Sequence, residues 1–321
     1  MTLTINPFVC LAPMAGITDL PFRQLVQSFG ADRVTSEMVA SNAMVVANRD
    51  MRTRAELGAN VEGTAVQLAG REPHWMAEAA RIVEDLGARF IDINMGCPAK
   101  KVTGGMSGSA LMRDLDLAVS LIRAVIQAVS VPVSLKMRLG WDDAQLNASE
   151  LAHRAEAEGV TLITVHGRTR CQFYTGQADW QGIAPVVDAV NVPVLANGDV
   201  VDLASARAAL HASNANGVMI GRGAQGAPWT VAQIRAALAQ DDIPTAPQGA
   251  ALTDLISTHY DSMLSFYGQE LGRRVARKHL GWYMDRLQTP ADIRAQIVTE
   301  ADPMQVLRLI PDMTEHHAEA A

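Results

Sequence analysis

The sequence predicts an α/β protein: a (β/α)8 TIM barrel over residues 1–240, a linker at 241–250 and a small all-helical domain over 251–321. Three observations predict it. Eight short apolar runs alternate with helical patterns across about 240 residues, close to the roughly 250 that such barrels take. The runs are apolar throughout rather than at every second position, as parallel strands covered on both faces are. A polar or charged residue follows seven of the eight runs, at the strand ends where barrels carry chemistry.

The first run, residues 8–11, passes through Ala12-Pro13-Met14-Ala15-Gly16 into a helix. Thr18 is its expected cap, Pro21 lies in its first turn, Phe22, Leu25, Val26 and Phe29 form its buried stripe, and Gly30 stops it. That connection is not GxGxxG, which argues against a doubly wound open sheet, the alternative arrangement of the same units. The second run is 34–38. The third, 64–68, precedes a helix over 73–86 that ends at Gly87. The remaining runs are 90–93, 133–137, 162–165, 194–196 and 218–220. Pro132 and Pro193 stand at the entrances of the fifth and seventh, where a strand tolerates proline. After the proline-containing stretch QDDIPTAPQGA only helices are expected, over 252–267, 271–285, 290–299 and 303–309, with the polar tail PDMTEHHAEAA frayed.

Composition narrows the function. The start, MTLTINP, has neither a basic segment nor an apolar one, so no signal peptide is expected. Apolar runs are too short to span a bilayer. Three widely spaced cysteines, Cys10, Cys97 and Cys171, with no CxxC, suggest reduced thiols in the cytoplasm, no disulfide framework and no metal cluster. A net charge of -7 argues against a nucleic-acid-binding surface over the whole molecule but permits a local basic patch.

The strand-end residues are Glu37, Gln67, Asn94, Cys97, Lys136, Arg138, His166, Arg168, Asn197, Asp199 and Arg222. Buried charge is costly without a partner or ligand, so their gathering points to a site. The loops LANGDV and MIGRGA follow the last two strands, where barrels build phosphate sites; Gly198 and Gly221 allow backbone N–H groups to approach an anion and Arg222 adds charge. Lys136 has two readings: a Schiff-base nucleophile, or a fixed cation beside a cofactor ring that becomes anionic. Taken alone, His166 reads as a core histidine, but Gly167 and Arg168 beside it favour a ligand contact. Gln67 is an amide inside an apolar strand and needs a partner, which a heteroaromatic ring would supply.

Together, LAPMAGITDLPFR, VQLAG, DINMGCPAKKVTGGMSGSALMRD, SLKMRLGW, VHGRTR, NGDV and MIGRGA resemble the tRNA-dihydrouridine synthases, most closely the bacterial B-type. The resemblance covers the barrel and reaches the helical tail. It implies tightly bound FMN, NADPH as reductant, tRNA as partner, and reduction of the C5–C6 bond of a uridine in the tRNA D-loop. Residue by residue, it implies Pro13, Met14 and Ala15 along the flavin, Gln67 and Lys136 at the isoalloxazine ring, and His166 close to the cofactor. Asn197, Gly198, Asp199, Gly221 and Arg222 would hold the phosphate end, Asn94 and Arg168 would lie near the uracil, Arg138 would belong to the substrate-binding residues, and Cys97 would be the proton donor. Hydride would pass from N5 of the reduced flavin to C6, and C5 then needs an acid on its other face; a thiol ordinarily titrates near 8.5 and is protonated at neutral pH. Pro98 would stiffen the Cys97 loop. Gly104, Gly105 and Gly108 would leave room for RNA, and Lys100 with Lys101 would meet phosphate. Between residues 268 and 286 five basic residues (Arg273, Arg274, Arg277, Lys278 and Arg286) stand against two acidic ones; Arg273, Arg274, Arg277 and Lys278 are expected to contact the tRNA, and the three arginines can share a helix face for docking.

Three other readings stay open at the level of sequence: a flavin oxidoreductase acting on a free pyrimidine, a Schiff-base aldolase using Lys136, and a tRNA-binding protein with a non-catalytic barrel.

Overall fold

Nine parallel strands form one sheet that closes on itself, seen in a computed structural model that describes residues 8–58 and 62–318. Strand β1 (Phe8–Leu11) pairs with both β2 (Arg33–Thr35) and β9 (Gly217–Ile220). From β9 the ladder runs through β8 (Val194–Asn197), β7 (Leu162–His166), β6 (Val133–Arg138) and β5 (Phe90–Met95) to β4 (Thr64–Ala69), which pairs with β2 and completes an eight-stranded barrel. The residues on which the expected absence of a signal peptide rests, 1–7, and the end of the tail, 319–321, lie outside the described residues.

The second strand departs from expectation. It is not one run over 34–38 but two pieces, β2 and the two-residue β3 (Val39–Ala40), both beside β4. At the break the Ser36 hydroxyl accepts from Gln67 N at 3.0 Å, replacing a ladder bond, and Glu37 swings its carboxylate onto Gly16 N.

Short helices α2 (Ser41–Val45) and α3 (Arg49–Ala55) fill the connection that follows. Amphipathic helices α4 (Pro73–Asp85), α6 (Leu115–Ile126), α7 (Ala148–Glu158), α8 (Ala184–Asp188), α9 (Leu203–Ser213) and α10 (Thr230–Ala239) cover the barrel, and the four-residue α5 (Lys100–Thr103) sits in the loop after β5. Helix α1 (Leu20–Ser28) is capped by Asp19, whose Oδ1 accepts from Phe22 N at 3.0 Å, and not by Thr18. The Thr18 hydroxyl is turned back to Met14, accepting from its N at 3.0 Å, and so closes the loop before the helix.

Inside the barrel the side chains are graded. Arg33 lies between the rings of Phe8 and Phe90 at the bottom, 5.1 and 3.6 Å from their centroids. Cys10, Leu162, Leu195 and Met219 form an apolar layer with Phe8, and the polar residues stand above, at the carboxyl ends of the strands.

After an extended segment come α11 (Gly249–Tyr267), α12 (Gln269–Leu287), α13 (Ala291–Thr299) and α14 (Pro303–Ala318), with a separate core around Ile256, Tyr260, Met284 and Ile310. The expectation of a helix ending near 309 and a frayed tail is corrected: α14 continues because Val306, Ile310 and Met313 lie on one face and are buried against the other helices. These helices also pack on the barrel. Phe22 meets His259 and His279, at centroid distances of 5.8 and 5.2 Å, and Tyr267 Oη donates to Asp19 Oδ2 at 3.0 Å.

Candidate active site

Strand register builds the mouth. Gln67 stands opposite Asp92, Asn94 opposite Lys136, and His166 between Arg138 and Asn197. Lys136 Nζ reaches past β7 to Asn197 Oδ1 at 2.9 Å, which places both side chains inside the barrel, and Asn197 Nδ2 donates to Met219 O at 2.8 Å.

A hydrogen-bonded series links the barrel interior to the cysteine loop. Ser134 Oγ and Gln67 Nε2 donate to the two oxygens of Asp92, at 2.6 and 2.7 Å. Asn94 Nδ2 donates to Gln67 Oε1 at 2.8 Å, and Asn94 Oδ1 accepts from Cys97 N at 3.0 Å. Each amide is thus oriented by its neighbour, and the last one fixes the cysteine backbone. From the other side Ser109 N and Oγ donate to Cys97 O at 3.1 and 2.9 Å. Gly108, with φ of +60°, approaches so closely that a Cβ would lie 2.8 Å from Cys97 O. Its small size is therefore needed by this loop rather than leaving room for RNA. Cys97 is half-buried, whereas Cys10 is enclosed and burial pushes its thiol up to about 12.

Charge at the mouth follows from burial. Burial, and then Arg138, push the Lys136 ammonium down to about 8, against the pull of Asp92. It therefore remains a cation at neutral pH. Burial pushes the Asp92 carboxyl up, opposed by Ser134, Gln67 and Lys136. Burial and the cations Lys136, Arg138, Arg168 and Arg222 hold His166 well below its ordinary range, so its ring is neutral.

Two arginines expected at the substrate are built into loops. All five N–H groups of Arg168 are occupied within the protein: by Thr175 O, Gly176 O, His166 Nε2 and both oxygens of Asp199, the closest at 2.6 Å. Arg168, expected near the uracil, thus holds Asp199. Asp199, despite burial, is kept below the ordinary carboxyl range by Arg168, Ala178 N and Arg222, and so orients cations rather than an anion. Arg138 donates from Nε to Gly96 O at 2.8 Å and from Nη1 to Thr169 O and Phe173 O, leaving Nη2 without a protein partner among the described residues.

Pro13, Met14 and Ala15 form a half-open loop beside the eighth strand's end, where a Cβ on Gly221 would lie 3.7 Å from Met14 Sδ. Gly198 is required by the His166 ring, which a Cβ there would meet at 2.8 Å. Arg222 is largely exposed above this edge, and Lys100 and Lys101 are exposed on α5.

In the tail the expected docking set divides. Arg274 is exposed. Arg273 bonds to Glu300 O and Glu270, and Arg277 has a buried Nε with no partner. Lys278 Nζ donates to Gly16 O, on the first loop of the barrel. Sequence reasoning missed Asp92, Ser109 and Tyr174. Asp92 carried the same signal as Gln67, a polar residue in an apolar strand. Tyr174 lies 6.4 Å from the His166 ring and 5.5 and 5.4 Å from the Arg138 and Arg222 guanidinium carbons, in a loop whose only signal was an exposed aromatic pair.

The dihydrouridine synthase (Dus) family model matches residues 10–317. A "Probable tRNA-dihydrouridine synthase" of Rhodobacter capsulatus is 60% identical over 311 residues, covering 96% of this chain and 95% of the relative. A "tRNA-dihydrouridine synthase B" of Xanthomonas axonopodis pv. citri is 44% identical over 309 residues, covering 96% and 93%. Among solved structures, 6-hydroxypseudooxynicotine amine oxidase of Pseudomonas geniculata superposes with a TM-score of 0.56 at 12% identity, over 73% of this chain and 47% of that one, a likeness of fold. A match along nearly the whole chain, on a closed barrel whose mouth carries Gln67, Asn94, Cys97 and Lys136, places this protein in the dihydrouridine synthase family.

Proposed function

We propose that this protein reduces a uridine of tRNA to 5,6-dihydrouridine, with FMN as bound cofactor, NADPH as reductant and Cys97 as the general acid. The observation that carries the proposal is the hydrogen-bonded series from Asp92 through Gln67 and Asn94 to the backbone of Cys97, which ties a half-open thiol to an amide-lined barrel mouth.

The residues at the mouth fit a flavin. Gln67 and Asn94 offer amide groups of fixed orientation, and Lys136, one-twelfth exposed or less, has a single protein partner for three N–H groups. Lys136 would sit at the pyrimidine side of the ring, where a cation stabilises negative charge. Met14 and Ala15 would lie along the ring edge. Gly221 and Arg222 would take the phosphate, with Asp199 keeping Arg222 in place. A monophosphate suits this one edge. When bound, the flavin supplies the hydride to C6 of the uracil.

The remaining chemistry belongs to the chain. Asn94 and the free Nη2 of Arg138 are placed to bind the base, and Cys97 supplies a proton to C5. Ser109, Gly108 and Asn94 fix the loop that presents it. A base inside folded tRNA must be flipped out to reach the mouth, which costs a few kcal/mol. Arg274, Lys100 and Lys101 are the exposed cations placed to hold the RNA, the helical region supplying the docking face. Family membership favours this reading over the aldolase and the non-catalytic barrel.

The test is Cys97→Ala. It should bind FMN and tRNA as the wild type does, while tRNA-dependent reoxidation of the reduced flavin slows by about 10² to 10⁴, the usual cost of losing a general acid. Cys97→Ser, a far weaker acid, should not restore the rate. Reoxidation at the wild-type rate with dihydrouridine formed would remove Cys97 from the chemistry.

A further inference from the structure

We propose that Lys278 is a positioning residue for the cofactor, through which the C-terminal helices set the first loop of the barrel. The inference rests on the reading above that Pro13, Met14 and Ala15 lie along the flavin.

The loop from Met14 to Asp19 is a tight turn. Ile17 N and Thr18 N both donate to Met14 O at 3.0 Å, and the Thr18 hydroxyl accepts from Met14 N. Gly16, one residue beyond the flavin-facing segment, has φ of +69°, a left-handed conformation that glycine adopts without penalty and leaves as easily. Within the turn the Gly16–Ile17 peptide is tied by the bond from Ile17 N to Met14 O. Two distant side chains add a hold on each side of Gly16. Glu37, at the break between β2 and β3 and 4% exposed, accepts from Gly16 N. Lys278, on α12 and 262 residues away in sequence, donates to Gly16 O. Opposite charges thus hold the two ends of one residue, and the break in the second strand is what delivers one of them. A Cβ on Gly16 would lie 3.0 Å from Lys278 Nζ, a tight contact, and the positive φ disfavours any other residue there. At the far end of the loop Tyr267 of α11 donates to Asp19, which caps α1. The helical region grips this loop at two points.

Lys278 was expected among the cations that contact tRNA. Its side chain is instead half-buried and turned to the barrel. Without it, Gly16 O loses a charge-assisted bond, Glu37 alone holds the residue from outside the turn, and the direction of Ala15 beside it is set less firmly.

The experiment is FMN titration of apo-protein, followed by the visible circular dichroism of the bound flavin. Lys278→Met should weaken FMN binding by about 10- to 100-fold, the range of a hydrogen bond to a charged group, and should change the dichroism, whereas Lys278→Arg should restore most of both. Amide hydrogen exchange of residues 14–18 in the apo-protein should accelerate in Lys278→Met while the interior of α12 stays protected. Arg274→Met, on the exposed face of the same helix, should leave FMN affinity unchanged and weaken tRNA binding. If Lys278→Met bound FMN within twofold of wild type, with unchanged dichroism and exchange, the inference would be overturned, and a loss of tRNA affinity alone would return Lys278 to the RNA surface. Should Lys278→Met not fold, Lys278→Gln carries the same titration, because it keeps a neutral donor on a shorter stem. Failure of the wild type itself to bind FMN would instead remove the cofactor reading on which this rests.

Discussion

Lys136 shows how a residue's chemistry follows from its position on a strand. It points inward because it alternates with Leu135 and Met137, which pack outward, and the barrel then withdraws it from water. Burial and Arg138 push it down to about 8, so flavin affinity should be flat below that pH and decline as pH rises through it, where the cation is lost. Lys136→Met should slow reduction of the flavin by NADPH about 10²- to 10³-fold, as removal of one preorganised donor does. It should also abolish the decline in affinity above pH 8. Rapid-mixing absorbance and an FMN titration across pH measure both, and an unchanged rate and pH profile would place the lysine away from the ring. The residues that could be read from sequence were those breaking a local rule: Gln67 and Lys136 are polar groups within apolar runs, Asn94 and Asn197 are polar groups directly after them, and burial made each need a partner. Arg168 and Lys278 could not be read, because their partners, Asp199 and Gly16, lie 31 and 262 residues away and nothing local announces them.

At the scale of elements, the strands and the covering helices were legible from apolar runs and their punctuation, and the misreadings have local causes. The second strand broke because Ser36 and Glu37 serve the neighbouring strand and the first loop. Helix α14 ran on because Ile310 and Met313 continue an apolar face through a polar-looking tail. The loop after β5 makes its own prediction. Gly108→Ala places a methyl against Cys97 O in a left-handed conformation, and should cost about 1–3 kcal/mol of stability. Turnover should drop with FMN affinity retained; normal turnover would show that the Cys97 loop tolerates displacement. The buried histidines between α1, α11 and α12 make another. Burial pushes His259 down to about 3 and holds His279 well below its ordinary range, next to Lys278. An unfolded chain takes up these protons as pH falls below about 6.5 while the folded one does not, so stability must drop with pH in the window between the two values. His259 contributes about 2 kcal/mol of this loss between pH 6.5 and 5. Urea unfolding at the two pH values should show the loss, and His259→Gln should reduce it. A stability independent of pH over this range would mean that the histidines are not sealed.

For the whole molecule, the net charge of -7 means that the RNA binding proposed above would rest on local cations, such as Arg274 on α12 and Lys100 and Lys101 on α5. Affinity for tRNA should therefore fall with salt at a slope of about −0.7 to −0.9 per phosphate engaged. A weak dependence would indicate recognition by other means. Because α11 and α12 bond to Asp19 and Gly16, the helical region is tied to the first loop of the barrel; on the proposed reading, RNA would dock on one face of the helices that hold this loop with the other. The most direct measurement mixes the reduced, FMN-loaded protein with unmodified tRNA in a single turnover, with free uridine as the comparison, and reads flavin reoxidation together with dihydrouridine in the recovered RNA. The mechanism predicts fast reoxidation with tRNA, one dihydrouridine formed per flavin reoxidised, and no reaction above background with uridine. Equal reoxidation by free uridine, or reoxidation by tRNA without dihydrouridine, would contradict it.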